Sequence, residues 1–493
     1  MFRIVKRYIT TTLPYVNSAP HIGFALEIVQ ADALARAWRM AGDLVYFNTG
    51  TDEHGVKIHR KALEVGQEPQ TYVDSAVLNF KDLMSALNIS EHTFIRTTDS
   101  HHVAAAQEFW RRCAAAGDIE KKVYRTKYCA GCELEKTDSE LVDGKCPLHP
   151  TLTIEEREEE NYFFKFSKYS SALLDLYRKY PDFVMPTHRL TEIQNFVSSG
   201  LADFSISRLK EKMPWGVPVP GDPDHVMYVW FDALVNYVST LGWPENTGKF
   251  GEFWGTKEKP NAVQVAGKDN LRQQSAMWQA MLISAGLPAS RQIFIHGFIT
   301  SGGQKMSKTT GNVIDPFALV AKYGADALRY YLLREIPAAE DGDFSEEKFR
   351  ERYNADLANG IGNFAARVTT LAAGVGEFSA GMKPDTAITE HIERTKEAMN
   401  TRLSEYRFHE VLAALWELIS FGDARVNDTK PWAMEDGEEK KQTLLDLVVL
   451  LDNIAALLAP FLPEAAGKIT ACLTWEGKTL RVKKSDILFP RLA

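Results

Sequence analysis

The sequence predicts an α/β protein: a doubly wound domain on a parallel sheet, interrupted by an insertion with its own small fold and followed by an all-α bundle. Three observations carry that reading. A strand–helix–strand pattern opens the chain. Three of the five cysteines crowd into 129–146, just before an acidic run at 155–160. From about 350 onward nearly everything is helical, with Leu444, Leu447, Leu451, Ile454 and Leu458 on one stripe.

The elements follow in order. Arg7-Tyr8-Ile9-Thr10-Thr11-Thr12-Leu13 is rich in β-branched and aromatic residues and reads as a strand. Pro14 to Pro20 is a loop, and a helix starts behind Pro20, because proline suits a first turn. Leu26, Val29, Ala33, Ala37 and Met40 share one face of that helix, and Val45-Tyr46-Phe47-Asn48 is the next strand. This is the start of a Rossmann-like unit. The α/β texture returns at Met227-Tyr228-Val229-Trp230 and at Gln292-Ile293-Phe294-Ile295-His296. The divisions expected are 1–117 and 226–315 for the two halves of the sheet domain, 118–225 for the insertion, 316–352 for a connecting helical segment and 353–493 for the bundle. A long Pro/Gly linker is absent, so these parts should pack together.

Apolar residues at 45% and charged residues at 25% of 493 exclude a disordered chain. A net charge of −8 excludes a protein held to nucleic acid by bulk charge, though not one that uses local basic patches. The N-terminus shows no signal-like apolar run. Leu444 to Leu462 is broken by Asp446, Asp452 and Asn453, so no membrane partner and a cytoplasmic location are expected. An odd cysteine count in such a chain reads as thiols or metal ligands. Cys129-Ala130-Gly131-Cys132 and Cys146-Pro147-Leu148-His149 are two short pairs that can close around one tetrahedral Zn²⁺. Four ligands leave no open position, so the zinc should be structural. Cys113 and Cys472 are expected to be ordinary partly buried residues, and His101-His102 a solvated helix end.

Two loops suit phosphate. Pro20-His21-Ile22-Gly23-Phe24 lies where a strand gives way to a helix whose first N–H groups are unpaired. His21 could donate to a phosphate oxygen there, or simply cap the helix. Ser301-Gly302-Gly303-Gln304-Lys305-Met306-Ser307-Lys308-Thr309 joins two lysines to a glycine pair. It could close over a triphosphate, or be a solvated basic loop.

His21-Ile22-Gly23 and Lys305-Met306-Ser307-Lys308, about 280 residues apart, together resemble the two signatures of class I aminoacyl-tRNA synthetases. Leu13-Pro14-Tyr15-Val16-Asn17, Gly50-Thr51-Asp52-Glu53-His54-Gly55, Tyr228-Val229-Trp230-Phe231-Asp232-Ala233 and Gly311-Asn312-Val313-Ile314-Asp315-Pro316 narrow the resemblance to the methionyl-tRNA synthetases, over essentially the whole chain. The resemblance implies that ATP, brought with Mg²⁺, activates L-methionine to methionyl-adenylate. The product is then transferred to tRNA(Met) for initiation and elongation. His21, Lys305 and Lys308 are implied as catalytic, with Gly23, Glu27, Gly267, Asp269 and His296 also at the ATP. Asp52 is implied as the anchor of the substrate ammonium, within a pocket of Leu13, Tyr15, Trp230, Ala233, Tyr237, Gln274 and Trp278. The carboxylate nucleophile is already ionised, so activation needs alignment and charge stabilisation, not a general base. The resemblance also implies the zinc knuckle at Cys129, Cys132, Cys146 and His149, and reading of the CAU anticodon by Asn363, Arg367 and Trp432. Asn363 and Arg367 lie four apart on one helix face, and Trp432 offers a ring on which an unstacked base can stack.

Two departures stand out. Phe24 replaces the usual second histidine of the first signature, and Asn270, Gln273 and Gln274 stand where Ile, Phe and His are usual. The first leaves open a non-catalytic tRNA-binding paralogue, the second a synthetase of shifted amino-acid specificity. The insertion is too short for the editing domain of the valine, isoleucine and leucine enzymes. With little chain after the bundle, a monomer is expected.

Overall fold

Six parallel strands form the central sheet: β1 (Lys6–Thr11), β2 (Leu44–Thr51), β3 (Thr93–Arg96), β4 (Val184–Met185), β5 (Ala262–Gly267) and β6 (Gln292–His296), in the order β3-β2-β1-β5-β6-β4. The structure is a computed structural model that describes residues 4–129, 134–136, 141–147, 149–306, 312–375, 377–379, 382–477 and 479–492. Tyr8 aligns with Tyr46 on one side and Ala262 on the other, so β1 is central.

A parallel sheet of this kind is covered on both faces, and strand alternation sorts its side chains between two cores. Ile9, Val263, Val265 and Phe294 face a core shared with helix α1 (Ile22–Met40) and the C-terminal helices. Tyr8, Ala262, Ala266, Ile293 and Ile295 face a second core, made with helix Ser100–Ala115 and residues 164–287. The parts do pack together. Arg329 is fully buried, pairs with Asp32 of α1 at 2.7 Å, and donates to the carbonyls of Leu87, Pro460 and Phe461.

Four expectations need correction. The stripe on α1 is too narrow: residues 24–35 are buried all round, because the sheet lies on one side and helix Ala325–Arg334 on the other, while Met40 in the last turn is exposed. Residues 227–230 do not rejoin the parallel sheet. Met227 ends a strand of a separate antiparallel sheet, and Val229–Ala233 is helical, with Phe231, Leu234, Val235 and Val238 buried at helical spacing. The stretch 118–225 holds an antiparallel sheet built on Ile119–Cys129 and Glu155–Phe164, yet it also supplies β4, which covers the edge of β6. The C-terminal part carries the apolar stripe, fully buried, but adds a three-stranded sheet of Glu377–Ser379, Leu473–Glu476 and Thr479–Val482.

Candidate active site

The sheet order reverses between β1 and β5, and in open α/β sheets ligands bind beyond the carboxyl ends of the strands at such a point. A cavity of about 1500 Å³ lies there. Thr12 and Leu13 reach it from the end of β1, Asp52 from β2, Gly267 and Asp269 from β5, and His296 from β6. It brings together Leu13, Tyr15, His21, Gly23, Glu27, Asp52, Trp230, Ala233, Tyr237, Gly267, Asp269, Gln274 and His296, drawn from segments more than 250 residues apart. Trp278 is not among its lining residues. It is fully buried behind Tyr237, stacked on Phe109.

The open end of the cavity is polar and exposed. His21 is the N-cap of α1, and its Nδ1 accepts from the Gly23 N–H at 3.0 Å. Partial desolvation at the cavity mouth pushes the imidazole below its ordinary pKa, against the opposing pull of Asp269, which favours the neutral ring, and with Nδ1 accepting from Gly23 its proton belongs on Nε2. Capping and phosphate contact are therefore compatible roles. A Cβ at Gly23 would come within 2.8 Å of the His21 ring, so the glycine makes room for the cap. Phe24 also lines the cavity and packs edge-on against Phe80 at 5.4 Å.

Glu27 ties three elements together. Its Oε1 accepts from the Thr12 N–H at 2.7 Å and hydroxyl at 2.6 Å, and its Oε2 meets His296 Nε2 at 2.9 Å. His296 Nδ1 faces the Gly297 carbonyl at 2.7 Å. Burial alone disfavours charge on this ring. The Glu27 carboxylate and the Gly297 carbonyl facing the two nitrogens favour the protonated ring, however, and the pKa is raised.

Beyond β6 the chain forms a hairpin, Ile299–Ser301 with Gln304–Lys305, turning through Gly302 and Gly303 at φ 62° and 71°, which only glycine adopts readily. The Thr300 hydroxyl and the Gly303 N–H both donate to Asp343 Oδ1, which pins the turn. Met306 lines the cavity, and the Ile22 N–H at the start of α1 donates to the Ile314 carbonyl at 3.3 Å. Met306 of the second signature thus stands at the cavity, and Ile314, beyond that signature, stands beside the first. Lys308 lies outside the described residues, as does the side chain of Lys305.

The closed end is buried. Asp52 Oδ1 has no hydrogen-bond partner. Burial, and then the Asp232 carboxylate, push the Asp52 carboxyl well above the ordinary range. Its neighbour Glu53 is the opposite case, accepting from Thr51, Thr98 and two nitrogens of Arg96 at 2.6–2.8 Å. A buried carboxylate oxygen left unpaired at a cavity is a place for a cation.

The amides divide. Gln274 is satisfied at both ends, donating to the Tyr237 hydroxyl and accepting from Gln264 Nε2 at 3.2 Å. Asn270 lines the cavity beside Asp269, and Gln273 does not line it.

Sequence reading missed a buried pair: His54 Nδ1 meets Asp232 Oδ2 at 2.9 Å, across 178 residues. Both stand in quoted motifs, but nothing local signals their meeting. His102 corrects the solvated-end expectation. It is fully buried, bonds to the Ser239 hydroxyl at 2.9 Å, and burial, with His54 nearby, lowers its pKa to about 3.

Two further groupings lie away from the cavity. Cys129, Cys146 and His149 put their ligand atoms within 4.8 Å of one another, with sulfur–nitrogen distances of 3.7 and 4.0 Å. That spacing fits soft ligands around one tetrahedral ion. Cys132 lies outside the described residues. Cys113 and Cys472 are buried free thiols, and burial raises the Cys113 thiol to about 12. On helix Asn363–Ala373, Arg367 donates to Asn427 and Asp423 at 2.7 and 3.3 Å and stands 5.7 Å from the ring of Trp432, which is 53% exposed. Asn363 is exposed one turn earlier on that helix.

Known proteins share this arrangement. The model of the family "tRNA synthetases class I (M)" matches residues 7–152 and 149–369. The methionine--tRNA ligase of Thermosynechococcus vestitus is 42% identical over 94% of this chain and 88% of its own. That of Caldanaerobacter subterraneus is 40% identical over 98% of this chain and 78% of its own. The Mycobacterium tuberculosis methionyl-tRNA synthetase in complex with methionyl-adenylate superposes with a TM-score of 0.89 at 36% identity, over 99% of this chain and 100% of that one.

Proposed function

The chain belongs to the class I tRNA synthetases that act on methionine, and from that premise we propose how its residues divide the work. It is a methionine--tRNA ligase. ATP activates methionine to methionyl-adenylate with release of diphosphate, and the methionyl group passes to the 3′ end of tRNA(Met) with release of AMP.

The closed end of the cavity takes methionine. Asp52 receives the ammonium, and Leu13, Tyr15, Trp230, Ala233, Tyr237 and Gln274 enclose the side chain. Trp278 supports Tyr237 from behind. The open end takes ATP with its Mg²⁺. The neutral His21 donates from Nε2 to a phosphate oxygen, and Gly267, Asp269 and the Glu27–His296 pair border the nucleoside. A methionine carboxylate oxygen attacks the α-phosphorus as the bond to the diphosphate oxygen breaks. Lys305 and Lys308 neutralise the charge that builds on the leaving group. Cys129, Cys132, Cys146 and His149 would hold one structural Zn²⁺, which would tie the end of strand Ile119–Cys129 to the segment carrying Cys146 and His149. Asn363, Arg367 and Trp432 read the anticodon. A monomer working in the cytoplasm, where ATP and tRNA are met, goes with this reading.

The observation that carries this reading is the unpaired, buried Asp52 oxygen at the end of β2. ATP–diphosphate exchange across the twenty amino acids tests it. Methionine-dependent exchange that is lost in Asp52→Asn supports it, and exchange indifferent to that change contradicts the role given to Asp52.

A further inference from the structure

Behind Tyr237 and Gln274 a chain of polar side chains runs away from the cavity. Gln264, Gln274, Gln279 and Ser290 are each no more than 2% exposed. The far end is held by two backbone groups that allow one orientation only. The Ser290 N–H donates to Gln279 Oε1 at 3.0 Å, and Gln279 Nε2 donates to the Gln274 carbonyl at 2.9 Å. Reversing the Gln279 amide would set donor against donor and acceptor against acceptor. Its Nε2 also donates to Ser290 Oγ at 3.1 Å, so the Ser290 hydroxyl turns its own proton to Gln264 Oε1 at 2.6 Å. Gln264 must then present Nε2 to Gln274 Oε1, and Gln274 presents Nε2 to the Tyr237 oxygen. At the end of this sequence the Tyr237 oxygen is an acceptor already used, and its hydroxyl proton is left for the cavity that Tyr237 lines.

We propose that Gln279, Ser290 and Gln264, none of which lines the cavity, are positioning residues for amino-acid selection. They hold the Tyr237 hydroxyl as a donor toward the substrate side chain. A side chain with an acceptor at that depth, such as a thioether sulfur, is therefore preferred to a hydrocarbon of the same shape. The proposal rests on the reading that this end of the cavity holds methionine. A satisfied buried network is also rigid, so the preference is built in before the ligand arrives.

The test is ATP–diphosphate exchange with methionine and with norleucine, which replaces sulfur by a methylene. It is run on the parent chain, Ser290→Ala, Gln264→Met, Tyr237→Phe and the Ser290→Ala/Tyr237→Phe pair. The expected result is a methionine-to-norleucine ratio of kcat/KM that falls roughly three- to tenfold in each single variant, the worth of one modest hydrogen bond. In the Tyr237→Phe background, Ser290→Ala should cause no further fall, because the two act through one hydroxyl. Loosened packing would instead lower both substrates together, and that result overturns the proposal. A ratio that falls only in Tyr237→Phe also overturns it while leaving the methionine subsite in place. A ratio that stays at the parent value in all variants removes the subsite reading as well. Should Gln264→Met fail to fold, Ser290→Ala, which deletes one oxygen, decides the matter.

Discussion

At the closed end of the cavity Tyr237 and Gln274 are 2% exposed, and their bonds into the second core are made without any ligand. At the open end His21 and Asp269 stand in solvent, and the second-signature lysines follow a turn that only glycines form readily. The contrast matches the ligands. An amino acid small enough to be enclosed is recognised by shape and by fixed donors, so its pocket gains from being rigid in advance. A triphosphate brings its own charge and must release a diphosphate, so its partners must neutralise charge and then let the product go.

The sharpest way to break this comparison is to remove a group from the open end. Lys308→Ala should lower kcat of ATP–diphosphate exchange on the order of 100-fold, the usual cost of losing one group that stabilises developing charge. Methionine affinity, measured by calorimetry without ATP, should hold. A parallel loss of methionine affinity would show that the two ends are not separately built.

Removing a group from the closed end should act the other way. Asp52→Asn should lower kcat/KM for methionine on the order of 100-fold, as expected for a charge-assisted bond to an ammonium. The ligand-free protein should become more stable, because burial and Asp232 make the Asp52 charge costly. The pH dependence follows with its sign. The folded pKa is raised, so the ligand-free fold holds this proton better than the unfolded chain does. Its stability falls as pH rises above the ordinary carboxyl range. Melting curves across pH, parent against Asp52→Asn, check this, and the variant should lose that component of the slope.

Away from the cavity, Arg367→Ala or Trp432→Ala should lower kcat/KM for tRNA charging about tenfold, the worth of one stacked base. Exchange without tRNA should stay at the parent rate. The smallest effect is expected at Phe24→His. The ring packs on Phe80, so the change should cost about 1 kcal/mol of stability. Exchange should move by less than about tenfold in either direction.

Strands β1, β2 and β6 and helix α1 were legible because parallel strands and a buried helix leave strong apolar patterns, whereas β3 and β4, four and two residues long, and β5 were not singled out. At 227–230 the α/β texture does not mean a return to the sheet, because the aromatic density there serves a short buried helix. Much of the cavity was legible through motifs, as Asp52, Tyr15 and His21 show. Their neighbours' partners were not. Gln264, Gln279 and Ser290 look like ordinary polar residues in an α/β texture, and only folding brings the three against Gln274. His102 was misread for a related reason: two adjacent histidines at a helix start suggest solvent, and helical geometry sends one of them inward.

The central claim is that the closed end of the cavity is finished before substrate arrives and that the open end takes the nucleotide. A crystal structure with methionine and a non-hydrolysable ATP analogue tests it most directly. The account predicts that Asp52, Tyr237 and Gln274 keep the positions described, while Lys308 comes within hydrogen-bonding reach of the outer phosphates opposite His21. A nucleotide held with Lys308 remote from its phosphates, or a closed end rebuilt on binding, would contradict it.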